Sequence, residues 1–249
     1  MQRYKATVSY DGSGFTGYQI QPKGRTVQGE IEQVLRKLHK GQAVGVTASG
    51  RTDSGVHARG QVIHFDSPLK LSGDQWIKAC NSLLPDDISF SKVEEAGSNF
   101  HARFDAVQKK YKYFLYGGPI RDPFRRHFAA HIRGSLDVKS MRRAADCLKG
   151  THDFSSFCSA KTETDNKVRT LFELEIEEQG RELVLTFVGD GFLYNMVRII
   201  VGTLLDVGSG KLDIDAIPDI LSAKDRTMAG KTAPAEGLYL WEVFYENGK

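Results

Sequence analysis

Polar and apolar side chains alternate through Tyr4-Lys5-Ala6-Thr7-Val8-Ser9-Tyr10 and stop at Asp11-Gly12, which predicts a strand closed by a turn. The period then lengthens. Behind Thr26, a candidate N-cap, the residues Val27, Ile31, Val34, Leu35 and Leu38 recur at helical spacing until Gly41. Strands are predicted again near Val44 to Ala48 and Gln61 to Phe65. Ser72 with Gln75 three positions later reads as a capping box for a helix bearing Trp76, Ala79, Cys80, Leu83 and Leu84, with Pro85 at its end and a strand from Ile88 to Val93 beyond.

A similar order recurs after residue 105. Lys109 to Tyr116 suits a strand, and Asp137 caps a helix with Met141, Ala144, Ala145 and Leu148 on one face. Val168 to Ile176 and Leu183 to Val188 read as a hairpin about Gln179-Gly180, followed by a helix near Tyr194 to Val207 and a strand from Leu238 to Tyr245. A split βαβ pattern seen twice argues an α+β protein of two ferredoxin-like halves, 1–105 and 106–249, each with an antiparallel sheet. The repeat is one of element order, without clear sequence identity between the halves. The helix near Tyr194 to Val207 is apolar almost all round, so Arg198 inside it calls for a carboxylate or a ligand unless its guanidinium snorkels to water.

Composition adds bounds. At 249 residues with 40% hydrophobic and 26% charged residues, the chain suits a folded protein that needs neither disulfides nor a structural metal. No apolar run approaches the roughly 18 residues of a membrane span, and a strand pattern beginning at Tyr4 leaves no room for a signal peptide, so a cytoplasmic protein without membrane attachment is expected. Cys80, Cys147 and Cys158 are widely spaced and read as packing thiols. The net charge of +3 identifies no partner, but its distribution is informative. Lys109, Lys110 and Lys112 flank Tyr111 and Tyr113, and Arg121, Arg125, Arg126, His127, His131 and Arg133 follow, a mixture suited to phosphate contact and base stacking or simply to a solvated face.

The segment from Ala48 to Ala58, ASGRTDSGVHA, concentrates Gly, Arg, Asp and His between two predicted strands. Its Asp53 has the chemistry of a nucleophile, a general base, a metal ligand or a turn former. His57, His64 and His101 with Asp53 and Asp66 raise a zinc hydrolase as a rival, although their spacing lacks a helical His pair and a Cys set.

Gly50-Arg51-Thr52-Asp53-Ser54-Gly55-Val56-His57-Ala58 resembles the catalytic signature of the tRNA pseudouridine synthase A (TruA) family. Four further segments resemble that family's motifs in order: Tyr10 to Gln19, Phe100 to Ala106 followed by Tyr111-Lys112-Tyr113, Phe192 to Arg198, and Ala235 to Tyr239. The resemblance implies two ferredoxin-like halves around a central RNA-binding cleft and conversion of uridine to pseudouridine in the anticodon stem-loop of tRNA. It implies a homodimer with RNA spanning both subunits, and neither a cofactor nor a metal. It places the catalytic aspartate at Asp53, an active-site tyrosine that stacks on the uracil at Tyr111, an arginine paired with the aspartate at Arg198, an arginine that holds the base out of the stack at Arg51, and a substrate contact at Leu238. Tyr18 stands where the family more often has Trp, Ser54 where Ala is usual, and Lys109 near a frequent Arg. A paralogue acting on another RNA uridine would share the same catalytic set, whereas a non-catalytic RNA-binding module would not need it.

Overall fold

A computed structural model describes residues 1–160, 162 and 164–246. In chain order its principal elements are β1 (Gln2–Tyr10), α1 (Val27–Leu38), β2 (Thr47–Ala48), β3 (His57–Ser67), α2 (Gly73–Asn81), β4 (Ile88–Ala96), β5 (Ala106–Gly117), β6 (Ala130–Ile132), α3 (Val138–Asp146), β7 (Gly150–Asp153), β8 (Val168–Gln179), β9 (Glu182–Gly189), α4 (Met196–Gly208), α5 (Ala216–Ala223) and β10 (Leu238–Tyr245). They form two compact units, Met1–Val107 with residues 239–246, and Gln108–Leu238. The α+β class expected from the pattern is the observed one. The last strand, expected with the second half, groups with the first.

In the first unit the strands run β4-β1-β3, with β2 and β10 both on the far edge of β3. β3 is antiparallel to β1 and β2, so it lies between the two strands that α1 connects, the split βαβ arrangement. β1 buries Tyr4, Ala6, Val8 and Tyr10 on alternate positions, as its sequence pattern requires. β3 is buried along most of its length and does not alternate, because it is an inner strand.

Trp76 of α2 fills the space over this sheet, packing edge-on against Tyr4 and Phe65 with ring centroids 5.2 Å from each. Those two rings are register partners across β1 and β3. Burial of such aromatic side chains supplies about 1.5–3 kcal/mol each. The predicted capping box is present, with Ser72 Oγ accepting from the Gln75 amide and Gln75 Oε1 from the Ser72 amide. One expectation is shortened: of the alternating stretch from Val44, only Thr47 and Ala48 join the sheet. Val44 and Val46 are buried, but the Val46 amide is drawn off the ladder by Glu32 of α1, whose Oε1 accepts it at 3.1 Å.

The second unit repeats the arrangement as β5-β9-β8-β7, with β6 on β5. β9 is antiparallel to both neighbours and buried from Val184 to Gly189. Gly180, with φ +66°, turns the β8–β9 hairpin where the sequence signal lay. α3 packs its Met141 sulfur against Gly208 at the end of α4, where a Cβ would come within 2.6 Å of it. α4 is buried nearly all round, as its composition predicts, and begins only after Asn195, whose left-handed φ of +62° blocks an earlier start.

Candidate active site

Asp53 lies on the link between β2 and β3, and main-chain bonds fix the backbone around it. The Tyr18 amide donates to Thr52 O at 3.0 Å, and the Val56 amide donates to Asp53 O at 3.1 Å, closing a turn through Gly55 at φ +78°. Ser54 Oγ donates to Phe15 O at 3.1 Å. The Gly-rich segment from Tyr10 to Gln19 therefore cradles the catalytic-signature loop. Gly17 shows why glycine is needed there: its φ is +117°, and a Cβ would press on Thr52 O at 3.1 Å and the Ser54 amide nitrogen at 3.4 Å. Gly12 lies so close to Val56 O that no Cβ fits between them.

Beneath the loop runs a buried polar chain. Ser49 Oγ donates to Gln61 Oε1 at 2.7 Å, and Gln61 Nε2 donates to Gly50 O at 2.8 Å. Tyr10 and Thr52 share a hydroxyl–hydroxyl bond of 2.8 Å. Buried polar groups arranged this way are costly unless paired, and once paired they specify one geometry. Burial holds the Tyr10 hydroxyl up at about 12, so it remains a neutral partner at neutral pH. Pairwise contacts so distant in sequence gave no signal in the motif itself.

His57 adjoins the loop at the start of β3. Its Nδ1 accepts the Gly12 amide at 3.0 Å and also lies 3.2 Å from Asp11 Oδ1. An imidazole nitrogen that accepts from an amide carries no proton, so Nδ1 is unprotonated in this arrangement. The ring stacks on its register partner Tyr239 with centroids 4.5 Å apart. Nδ1 of His64 accepts from Ala102 N, and that of His101 from Arg103 N and Phe104 N, so the histidines of the rival zinc reading hold main chain. Asp66 is held by Arg3 through two bonds of 2.7 and 2.8 Å. Arg51, two residues before Asp53, is exposed, while Asp53 is half-buried.

In the second unit Tyr111 sits on β5 opposite Phe187 of β9, and its ring meets the edge of Phe192 at 4.9 Å. Arg198 is gripped twice by one residue. Its Nε donates to Ala233 O at 2.7 Å, and the Ala233 amide donates to Arg198 O at 3.0 Å. Nη1 donates to Asn195 Oδ1 at 3.1 Å. The segment that grips it continues through Pro234, whose carbonyl accepts the Tyr113 hydroxyl at 2.7 Å, into Gly237, which lies against the Tyr113 ring. Burial raises the Tyr113 hydroxyl far above its ordinary value; Glu236 adds to the rise and Arg198 opposes it. Leu238, next along, is buried at the start of β10.

The profile of a family described as tRNA pseudouridine synthase matches residues 6–105 and 144–246. A tRNA pseudouridine synthase A of Geobacillus kaustophilus is 58% identical over 246 residues, spanning 99% of this chain and 95% of its own. A tRNA pseudouridine synthase A 1 of Bacillus cereus is 58% identical over 247 residues, and a tRNA pseudouridine synthase A of Listeria welshimeri 57% over 248; each spans 99% of this chain and all of its own. With a match of that extent in the profile and in full-length relatives, this chain belongs to the tRNA pseudouridine synthase family.

Proposed function

We propose that this protein isomerises uridine to pseudouridine in the anticodon stem-loop of tRNA, with Asp53 as the nucleophile. The observation that carries the reading is full-length identity of 58% to a tRNA pseudouridine synthase A. The loop of Asp53 supports it, being held from both sides by main-chain bonds that would fix a reacting carboxylate.

The reaction breaks the bond from C1′ to N1 of uracil, rotates the base and joins C1′ to C5. The C5 proton leaves, N1 gains one, and nothing is oxidised or reduced. Asp53 must be ionised to add to the sugar at C1′ or to the base at C6, and it is released when the new bond is complete. Arg198 serves as the counter-cation of that carboxylate, an assignment supported by the resemblance of the Phe192 to Arg198 segment. Tyr111 stacks on the uracil, and Leu238 contacts it. Arg51, planar and exposed, fills the space that the extruded nucleotide leaves; extrusion costs a few kcal/mol, which phosphate contacts and stacking must offset. The chain acts as a homodimer, a reading supported by the family and by Ile120 and Phe124, which are 83% and 90% exposed.

The test is tritium release from C5-labelled uridine in tRNA transcripts, parent against Asp53→Asn. Release by the parent and none by the variant, with equal tRNA affinity, is the expected result. A parent that binds tRNA without releasing tritium from any transcript would replace the enzyme with a binding module.

A further inference from the structure

The link between β4 and β5 carries an arrangement that the chemistry at Asp53 does not use. Each amide from Phe100 to Asp105 has an acceptor. Phe100 N donates to Gly97 O, His101 N to Asp105 Oδ2, Ala102 N to His64 Nδ1, and Asp105 N to His101 O, at 2.9 to 3.1 Å. The amides of Arg103 and Phe104 both donate to His101 Nδ1 at 3.2 Å. Two carbonyls are tied as well, Ala102 O to the Tyr245 hydroxyl at 2.7 Å and Phe100 O to Arg3 Nη1 at 2.9 Å. Burial, with Arg3 and His101 nearby, lowers His64 to about 4, so at neutral pH its Nδ1 remains an acceptor.

So complete a set of bonds makes the loop a fixed support, and what it presents is a bare phenyl ring. Phe104 is 75% exposed. One face of its ring lies on His101, with centroids 4.2 Å apart and planes at 28°, and His101 in turn rests edge-on against buried His64 at 4.9 Å. The Arg103 guanidinium stands 5.8 Å from the centre of the Phe104 ring. A lone exposed apolar side chain is ordinary. A ring backed by a second ring, flanked by a cation and held by an immobilised backbone has the composition of a stacking platform for a nucleobase.

We propose that Phe104 and Arg103 form an RNA contact separate from the catalytic loop, in which an unstacked base of the substrate lies on the Phe104 ring and Arg103 meets its phosphate or its π-face. The proposal rests on the assignment of tRNA as substrate. RNA is the occupant because an arginine beside an open aromatic face offers charge and stacking together, and unpaired bases of a stem-loop supply both complements.

Phe104→Ala is expected to weaken tRNA binding roughly 5- to 150-fold, the range that loss of one base–aromatic stack implies. Phe104→Trp should restore affinity, and its fluorescence should fall on adding tRNA by more than that of the parent. Because the ring is exposed, thermal unfolding of either variant should match the parent. Parent-like affinity and tritium release in Phe104→Ala would overturn the proposal while leaving the isomerase intact. Conversion of a parental dimer to monomer would overturn it in favour of a second copy of the chain as the occupant. A parent that binds tRNA but releases no tritium would end the isomerase reading, and the Phe104 comparison would still decide the stacking contact.

Discussion

Tyr10 and Tyr18 approach the catalytic-signature loop from one strand and its following segment, and they differ in one respect that sets opposite expectations. The Tyr10 hydroxyl is bonded to Thr52, next to Asp53, whereas the Tyr18 hydroxyl is buried with no hydrogen-bond partner among the described residues. An unpaired buried hydroxyl keeps its desolvation penalty, and removing it recovers part of that cost. Tyr18→Phe should therefore raise stability by about 1 kcal/mol, and Tyr10→Phe should lower it by about 1 kcal/mol. Urea midpoints at constant m-value distinguish the two. Tyr10→Phe should also slow tritium release, since it loosens the residue preceding Asp53, the proposed nucleophile, and Tyr18→Phe should not. The sequence singles out Asp53 as a candidate because loop composition and motif coincide there. Its supports were not legible, since Tyr10 and Thr52 stand 42 positions apart and nothing local announces their contact.

Helix α4 shows what one element contributes by close packing. Its position is fixed where Gly202 abuts Lys231 O, where Gly230 abuts the Thr203 backbone, and where Thr203 Oγ1 accepts the Gly230 amide at 2.9 Å. A Cβ at Gly202 would overlap the Lys231 carbonyl, so Gly202→Ala must push Lys231 to Ala233 away and with them the grip on Arg198. The expected result is a loss of several kcal/mol, the scale of an overpacked core, with a larger fall in kcat than in tRNA affinity. Gly45→Ala is the control, because open space surrounds that position and its φ is ordinary. Elements of this length were visible in the sequence through their periodicity and caps. Those missed were short: β6 and β7 of three and four residues, and α5 of eight with Pro218 in its first turn. Too few residues remain in such pieces for a period to emerge.

Across the whole molecule, the two split βαβ units were legible from element order, whereas the fate of the last strand was not, because β10 pairs with β3 through contacts about 180 residues distant in sequence. The charge pattern likewise gave the inventory of cations without their commitments. Of the basic run after Tyr116, Arg125 is bonded to Glu182 at 2.7 Å and lies 5.0 Å from the centre of the Tyr116 ring, and Arg126 Nη1 donates to Pro123 O at 2.6 Å. His131 Nε2 donates to Gly118 O at 2.7 Å, and the ring stacks on Tyr116. These residues fold the segment around Tyr116, which leaves exposed Arg121 and Arg133 as its better candidates for phosphate contact. Each phosphate neutralised releases counterions, so the logarithm of affinity falls with the logarithm of salt by about 0.7–0.9 per contact. The double replacement Arg121→Ala and Arg133→Ala should reduce the salt slope of tRNA binding by about 1–2, with unchanged thermal stability. Arg125→Ala should do the reverse, lowering the melting temperature while keeping the slope, because its charge is already engaged. Equal slopes in the double variant and the parent would move the phosphate contacts away from this segment and onto the lysines that flank Tyr111.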